Sequence, residues 1–309
     1  MATSAGLHHI TAIAGDARRN LAFYSGVLGL RLIKKTVNFD DPGTYHLYFG
    51  DAAGTPGSVL TFFPWAHAAR GRPGNGEAVE TAFLIRPASL SFWLDRFLAR
   101  QVEHDAPVKR FGETVVPFRD PDGTRLALVA REPANTLPRA AWTTDDVPAD
   151  HAILGFAGVT LQVADARPSA AILTEVFGFT AAAEAGDRLR LAGGDGSTVD
   201  LLVAKDGMRG SAGAGTVHHV AFRAADDAAQ AELAAALRQR GLRVTEQLDR
   251  NYFRSVYFRE PSGVLYEIAT DAPGFAVDEP AEQLGSKLML PPWLEASRRD
   301  VEAALPSLT

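Results

Sequence analysis

Gly6-Leu7-His8-His9-Ile10-Thr11 and Thr216-Val217-His218-His219-Val220-Ala221 are two renderings of one phrase, placed near opposite ends of the chain. Each opens a short run of apolar and β-branched residues, the composition that suits a pleated, buried strand. A third rendering, Gly155-Phe156-Ala157-Gly158-Val159-Thr160, keeps the frame and lacks the histidines. It runs on through Ala164-Asp165-Ala166-Arg167 to Val176-Phe177-Gly178-Phe179. The first runs in the same way through Gly15-Asp16-Ala17-Arg18 to Val27-Leu28-Gly29-Leu30. A fourth begins at Val79-Glu80-Thr81-Ala82-Phe83. The repeating unit is a strand, an amphipathic helix and further short strands.

The helices are read from apolar spacing. Leu21, Tyr24 and Leu28 recur on one face of a helix expected around Ala17–Leu28, with Gly29 as its stop. Leu90, Trp93, Leu94, Phe97 and Leu98 form a one-sided stripe in the second copy, and Asp226–Arg240 closes on Gly241 in the fourth. Copies two and four also share an ending. Phe118-Arg119-Asp120-Pro121-Asp122-Gly123 matches Phe258-Arg259-Glu260-Pro261-Ser262-Gly263, which reads as a hairpin turn into a last strand. The period is too long for a solenoid, so a duplicated pair of modules is expected. The proline-rich, aperiodic stretch Arg131–Asp150 separates the halves. The expected organisation is an N-terminal domain over 1–132, a linker over 133–150 and a C-terminal domain over 151–275. A tail over 276–309 follows, with a short helix packed on the outside.

Composition narrows the function classes. A chain of 309 residues with 46% hydrophobic content is too long for one small core and too apolar for disorder. Lys and Arg number 31 against 37 Asp and Glu, a net charge of -6 that gives nucleic acid no basic footprint. No apolar run approaches the roughly 18 residues of a membrane span. Met1 leads to the first strand without a signal-peptide pattern, so a cytoplasmic protein is expected. The absence of cysteine excludes a disulfide framework, a thiolate zinc site and a cysteine nucleophile. A metal would be held by nitrogen and oxygen.

The histidine pairs supply such donors. Neighbouring strand residues point to opposite faces, so one histidine of each pair is expected to face a given cavity. Glu267, in Tyr266-Glu267-Ile268-Ala269 near the end of copy four, can meet them from another strand. Two imidazoles and one carboxylate make a facial-triad ligand set. Repeat alignment puts Gly158 at the place of His9, Glu80 at that of His219 and Ala127 at that of Glu267, which confines the ligands to copies one and four. In copy one the place of Glu267 falls near Thr61, which is no carboxylate. A three-ligand site leaves positions open for substrate and a second small molecule, which suits ferrous oxygen chemistry. Arg250 is suited to holding an anionic oxygen and Tyr257 to donating a hydrogen bond. A surface salt bridge and a half-buried strand tyrosine explain them equally well. His46, in Tyr45-His46-Leu47-Tyr48-Phe49-Gly50, is placed to line a pocket or, as the preferred reading, to serve structure.

The combination resembles the vicinal oxygen chelate superfamily of glyoxalases, bleomycin resistance proteins and extradiol dioxygenases, and within it the hydroquinone-type ring-cleaving dioxygenases. The resemblance rests on Gly6–Thr11, Leu28-Gly29-Leu30-Arg31-Leu32, Lys34-Lys35-Thr36-Val37-Asn38 with Asp40-Asp41-Pro42, Tyr45–Gly50 and Asn251–Pro261. It implies an α+β fold of four βαβββ modules, paired into two curved mixed-sheet half-barrel domains. It also implies His9, His219 and Glu267 as ligands of iron(II), with manganese(II) or zinc(II) as substitutes. Residues surrounding the metal and handling protons would be His8, His218, Arg250 and Tyr257, with Thr11 nearby. The expected partners are a small aromatic diol and O2, with no nucleic acid and no membrane, in a monomer or homo-oligomer. His218 or Tyr257 would deprotonate the diol, and His8 or Arg250 would stabilise an anionic intermediate. Two other readings belong to the same fold: a glyoxalase-type metal-dependent isomerase or lyase, and a metal-free small-molecule binding or resistance protein. The missing ligand near Thr61 counts against the first, and the intact triad against the second.

Overall fold

The computed structural model describes Ser4, residues 6–133 and residues 140–308. Its elements fall into four βαβββ modules. The first comprises β1 (Leu7–Ala14), α1 (Ala17–Leu21), β2 (Arg31–Asn38), β3 (Asp41–Gly50) and β4 (Val59–Pro64). The second has β5 (Glu77–Ile85), α2 (Leu90–Ala99), β6 (Val108–Arg110), β7 (Glu113–Arg119) and β8 (Arg125–Ala130). The third has β9 (Phe156–Val163), α3 (Ala166–Glu175), β10 (Thr180–Ala185), β11 (Arg188–Ala192) and β12 (Thr198–Val203). The fourth has β13 (Thr216–Ala224), α4 (Asp227–Gln239), β14 (Leu248–Asp249), β15 (Phe253–Arg259) and β16 (Leu265–Pro273). Within each module the first and last strands run parallel, as β1 with β4 and β13 with β16, and the remaining strands add antiparallel.

Two eight-stranded mixed sheets result, and their composition follows no sequence half. One has the order β14-β15-β16-β13-β1-β4-β3-β2 and the other β10-β11-β12-β9-β5-β8-β7-β6. Module one thus pairs with module four through antiparallel β1 and β13, and module two with module three through β5 and β9. The expected division into 1–132 and 151–275 is therefore not the division into sheets. β1 and β13 are almost wholly buried, so the free edge of each is satisfied by the other rather than by water. Adjacent modules still touch, through the turn endings that copies two and four share. Tyr24 after α1 donates to Asp120 at 3.0 Å, and Ser169 on α3 donates to Glu260 at 2.6 Å. Asp120 and Glu260 also accept from backbone N–H groups of their own hairpins, at Thr124 and Val264. Gly123 and Gly263 there take φ of +85° and +104°, a region that favours glycine.

The helix expected over Ala17–Leu28 changes form part-way: α1 ends at Leu21 and Ala22–Val27 is π-helical, with Leu28 N–H bonded to Phe23 C=O. The wider turn accompanies burial of both Phe23 and Tyr24, which successive positions of a regular helix place about 100° apart. Of the expected linker, residues 134–139 lie outside the described residues. The tail ends in a 3₁₀ segment Pro292–Ser297 and α5 (Arg298–Ala304), where Val301 and Leu290 pack on Val37. Among the described residues no helix is long and apolar enough to cross a membrane.

Candidate metal centre

Strand register assembles the triad. Across the β1–β13 seam His9 lies opposite Ala221, and on the other side of Ala221 the parallel strand β16 places Glu267. His219 precedes Ala221 by two residues on β13, on the same sheet face. The small side chain of Ala221 therefore sits among the three larger ones. His9 Nε2 is 3.3 Å from His219 Nε2 and 3.4 Å from Glu267 Oε2, and His219 Nε2 is 2.9 Å from Glu267 Oε2. An octahedral face with bonds of about 2.1 Å has edges of about 3.0 Å, so the three atoms have the spacing of one face around a single ion.

Glu267 has no solvent exposure, and its Oε2 accepts no well-formed hydrogen bond although two imidazoles lie beside it. A buried oxygen left in that state is costly unless a cation completes it. The donor set fits a divalent metal. Burial alone would push the Glu267 carboxyl up, but His9 and His219 hold it well below the usual carboxylate range, so it is anionic. Its other oxygen accepts from Ser255 Oγ at 2.5 Å. Burial lowers the His219 imidazole, with Glu267 pulling the other way. Among the described residues these three are the one group of histidine, aspartate or glutamate side chains converging at ligand spacing.

The first histidine of each pair buttresses the second. His8 Nδ1 lies 2.9 Å from His9 Nδ1, and His218 Nδ1 lies 2.8 Å from His219 Nδ1. A metal held by Nε2 of His9 and His219 would leave the proton on their Nδ1 atoms, which would then donate to the first histidine of each pair. Burial first, then the neighbouring ligand imidazole, lowers His8 to about 3 and His218 to about 3, so both are neutral and able to accept. A cavity of about 330 Å³ adjoins the triad and is lined by His9, His219, His218, Arg250, Tyr257, His46, Tyr48 and the rings of Phe39, Phe63, Trp65 and Phe253. His8 does not line it. The expectation that one histidine per pair faces the cavity thus holds for His8 and His9. It fails for His218 and His219, because partly exposed His218 reaches the cavity wall edge-on to Phe63.

The other singled-out residues are distributed around this centre. Tyr257 lies opposite Glu267 in the β15–β16 register, and burial and then Glu267 raise its phenol, which stays protonated. Arg250 sits over the Tyr257 ring and pairs with Asp40 at 3.2 Å, across the cavity mouth. Burial opposes its charge, and Tyr257 and Asp40 outweigh burial, so it stays cationic. Thr11 is fully buried away from the cavity, 2.8 Å from Thr61. Thr61 pairs with Thr11 as Glu267 pairs with Ala221, so Thr61 occupies the place of a second carboxylate. His46 lines the cavity, where the sequence favoured a structural role, and Tyr48 was not singled out at all. Strand alternation places both on one face and was the available signal.

The second sheet fills the corresponding place with ion pairs. Glu80 pairs with Arg110, Glu113 with Arg131 and Arg190 at 3.0 and 2.5 Å, and Arg190 with Asp200 at 2.7 Å.

A profile of the glyoxalase/bleomycin resistance protein/dioxygenase superfamily matches residues 6–128 and 155–268, and the chain belongs to that superfamily. Its relatives over the full length are more specific. The chain is 47% identical over 304 residues to MhqO of Bacillus subtilis (strain 168), named as a ring-cleaving dioxygenase, covering 97% of this chain and 95% of that one. It is 32% identical to a chlorohydroquinone/hydroquinone 1,2-dioxygenase of Sphingobium indicum, covering 96% and 94% of the two chains. A crystal structure of a protein from Bacillus subtilis, described as a dioxygenase, superposes with a TM-score of 0.95 at 44% identity, the match covering 99% of this chain and 98% of that one.

Proposed function

We propose that the protein is a non-haem iron(II) ring-cleaving dioxygenase of extradiol type, acting on a hydroquinone or related aromatic diol with O2. The observation that carries this reading is the face formed by His9, His219 and Glu267, open to an aromatic-walled cavity, with Thr61 where a fourth ligand would stand. The names of the full-length relatives support it. Two nitrogens and one carboxylate suit iron(II), which when bound there supplies open positions for the diol and O2 and a path for electrons between them.

The surrounding side chains then have separable tasks. Phe63, Trp65 and Phe253 offer flat surfaces to a single ring, and the cavity, about 330 Å³, is at the small end of ligand pockets. His8 and His218 accept from the ligand imidazoles and fix their orientation. With Nδ1 so engaged, neutral His218 keeps its proton on Nε2 and donates to negative charge on the substrate. Arg250 places a fixed positive charge at the same cavity, and Tyr257 a phenolic O–H.

Ring opening breaks one C–C bond and carries both atoms of O2 into the product, so one O2 disappears per diol. Protein purified without air is expected to retain about one iron per chain and to consume O2 in that ratio with members of a hydroquinone and catechol panel. No uptake by iron-loaded protein with any diol overturns the reading. Turnover of a 2-oxoaldehyde–thiol adduct without O2 uptake would establish the isomerase instead.

A further inference from the structure

His46 and Tyr48 stand two residues apart on β3, His46 partly buried and Tyr48 buried, and both line the cavity. Tyr48 pairs with Thr61 across β3 and β4 as Tyr257 pairs with Glu267 across β15 and β16, so Tyr48 is the repeat mate of Tyr257, and His46 that of Ser255. In module four the Ser255 hydroxyl donates to the carboxylate of Glu267. In module one an imidazole meets a hydroxyl: His46 Nε2 lies 2.8 Å from Thr61 Oγ1. His46 Nδ1 lies 2.8 Å from Tyr48 Oη, and Thr61 Oγ1 lies 2.8 Å from Thr11 Oγ1. The result is a line of groups, Tyr48, His46, Thr61 and Thr11, each able to give and to accept a proton.

We propose that Tyr48 and His46 are the proton acceptor for the substrate hydroxyl, Tyr48 receiving the proton as its own passes to His46. The inference rests on the dioxygenase reading and assigns the base within it. Proton counting excludes the other groups in and beside the cavity. Tyr257 keeps its proton, and its hydroxyl partners are Ser255 and Arg250, with no free imidazole to take that proton on. His9, His219 and Glu267 are ligands, and His8 and His218 hold their Nδ1 lone pairs against the ligand imidazoles. Either would have to release its ligand ring to take up a second proton. Arg250 has no acceptor. Asp40 is 74% exposed at the rim and engaged by Arg250. His46 alone among the cavity imidazoles contacts no other histidine.

The step balances without a further reagent. The substrate O–H bond breaks and its electron pair stays on the substrate oxygen. The Tyr48 O–H breaks and re-forms, and an N–H forms at His46 Nδ1. His46 then donates at both nitrogens, to Tyr48 and to Thr61, with no hydrogen bond lost. Burial first, then His9, His219 and Arg250, keeps His46 neutral beforehand, and Glu267 favours the cation. The new phenolate supplies the compensating charge.

The test uses 4-nitrophenol, which changes colour on ionising, bound to metal-loaded protein without O2. Wild type is expected to bind it as the phenolate below its solution pKa while releasing no proton to weakly buffered solution. His46→Gln, which retains hydrogen-bonding groups, and Tyr48→Phe are expected to form phenolate only at higher pH and to release one proton. In O2, His46→Gln is expected to lose about 10²-fold in kcat/KM on hydroquinone. That loss should shrink on ring diols with more acidic hydroxyls, which a packing defect would not produce. Proton release and pH dependence in His46→Gln equal to wild type overturn the proposal, as does wild type binding only neutral nitrophenol. Failure of wild type to consume O2 would overturn the dioxygenase reading instead, and the nitrophenol titration separates the two.

Discussion

Replacing Glu267 with glutamine exchanges one carboxylate oxygen for an NH2 group at a position with no solvent exposure, and it affects the metal and the fold in opposite directions. In the metal-free protein Oε2 is a buried acceptor without a sound partner, a state that costs about 1–3 kcal/mol. The glutamine amide can keep its oxygen on Ser255, 2.5 Å away in the wild type, and turn its two N–H donors toward His219 and His9 Nε2, at 2.9 and 3.4 Å. The metal-free variant should therefore melt no lower than metal-free wild type. For a chain of this length about 1 kcal/mol moves Tm by about 1.5–2 °C, so the gain is up to about 5 °C. Metal at a hundred times its Kd stabilises wild type by about 2.7 kcal/mol, a rise of about 4–5 °C, and should leave the variant unmoved. Anaerobic thermal melts with and without iron(II) measure both numbers. A variant that keeps the metal-dependent rise, or melts several degrees lower without metal, would show that Glu267 is a structural ion-pair partner and not a ligand.

Two further outcomes follow from buried ionisable groups. His8 and His218 have folded values near 3 against an ordinary 6.5, so the unfolded chain binds more protons between those limits. Stability of the metal-free protein is thus fully present above about pH 6.5 and falls progressively toward pH 3, by up to about 1.4 kcal/mol per pH unit for each histidine. Urea midpoints across pH 7 to 4 should show the fall, His8→Phe should flatten part of it, and a flat wild-type profile would refute it. Lys34 has no solvent exposure and pairs with Asp278 at 2.6 Å and Glu279 at 2.5 Å. Lys34→Met leaves those carboxylates without their cation and should cost about 3–5 kcal/mol in urea unfolding, with a loss under 1 kcal/mol counting against the pair.

Much of this architecture was legible because the chain states it more than once. The frame Gly6–Thr11, repeated at Gly155 and Thr216, marks the first strand of a module wherever it occurs, and the acidic-Pro-x-Gly endings mark its last hairpin. Aligning them also located the place equivalent to Glu267 near Thr61, which the strand register reproduces. Which modules share a sheet was hidden, because every module opens on a strand and the side-chain pattern of a strand does not name the edge it pairs with. Lys34 was hidden for a related reason: its partners lie 244 and 245 residues away, in a tail without repeat or period. Tyr48 was overlooked because repeat alignment was applied to the histidines and the carboxylate. Carried one strand further, it sets Tyr48 against Tyr257.

The difference between modules one and four has a consequence for charge. Two neutral imidazoles and one carboxylate would leave a bound divalent ion with a net charge of +1, in a site with almost no exposure. A second carboxylate at Thr61 would bring the centre to neutrality and make an incoming phenolate an uncompensated anion in a poorly solvated cavity, which is expensive. With threonine there, the singly ionised diol of the proposed reading would be the ligand that neutralises the centre. Thr61 instead accepts from the imidazole whose other nitrogen faces Tyr48. On the proposed reading, the residue that keeps the centre cationic enough to bind a phenolate also anchors the group that takes the phenol's proton. Module four cannot do the same, because Ser255 stands there in the place of His46 and its hydroxyl is committed to Glu267.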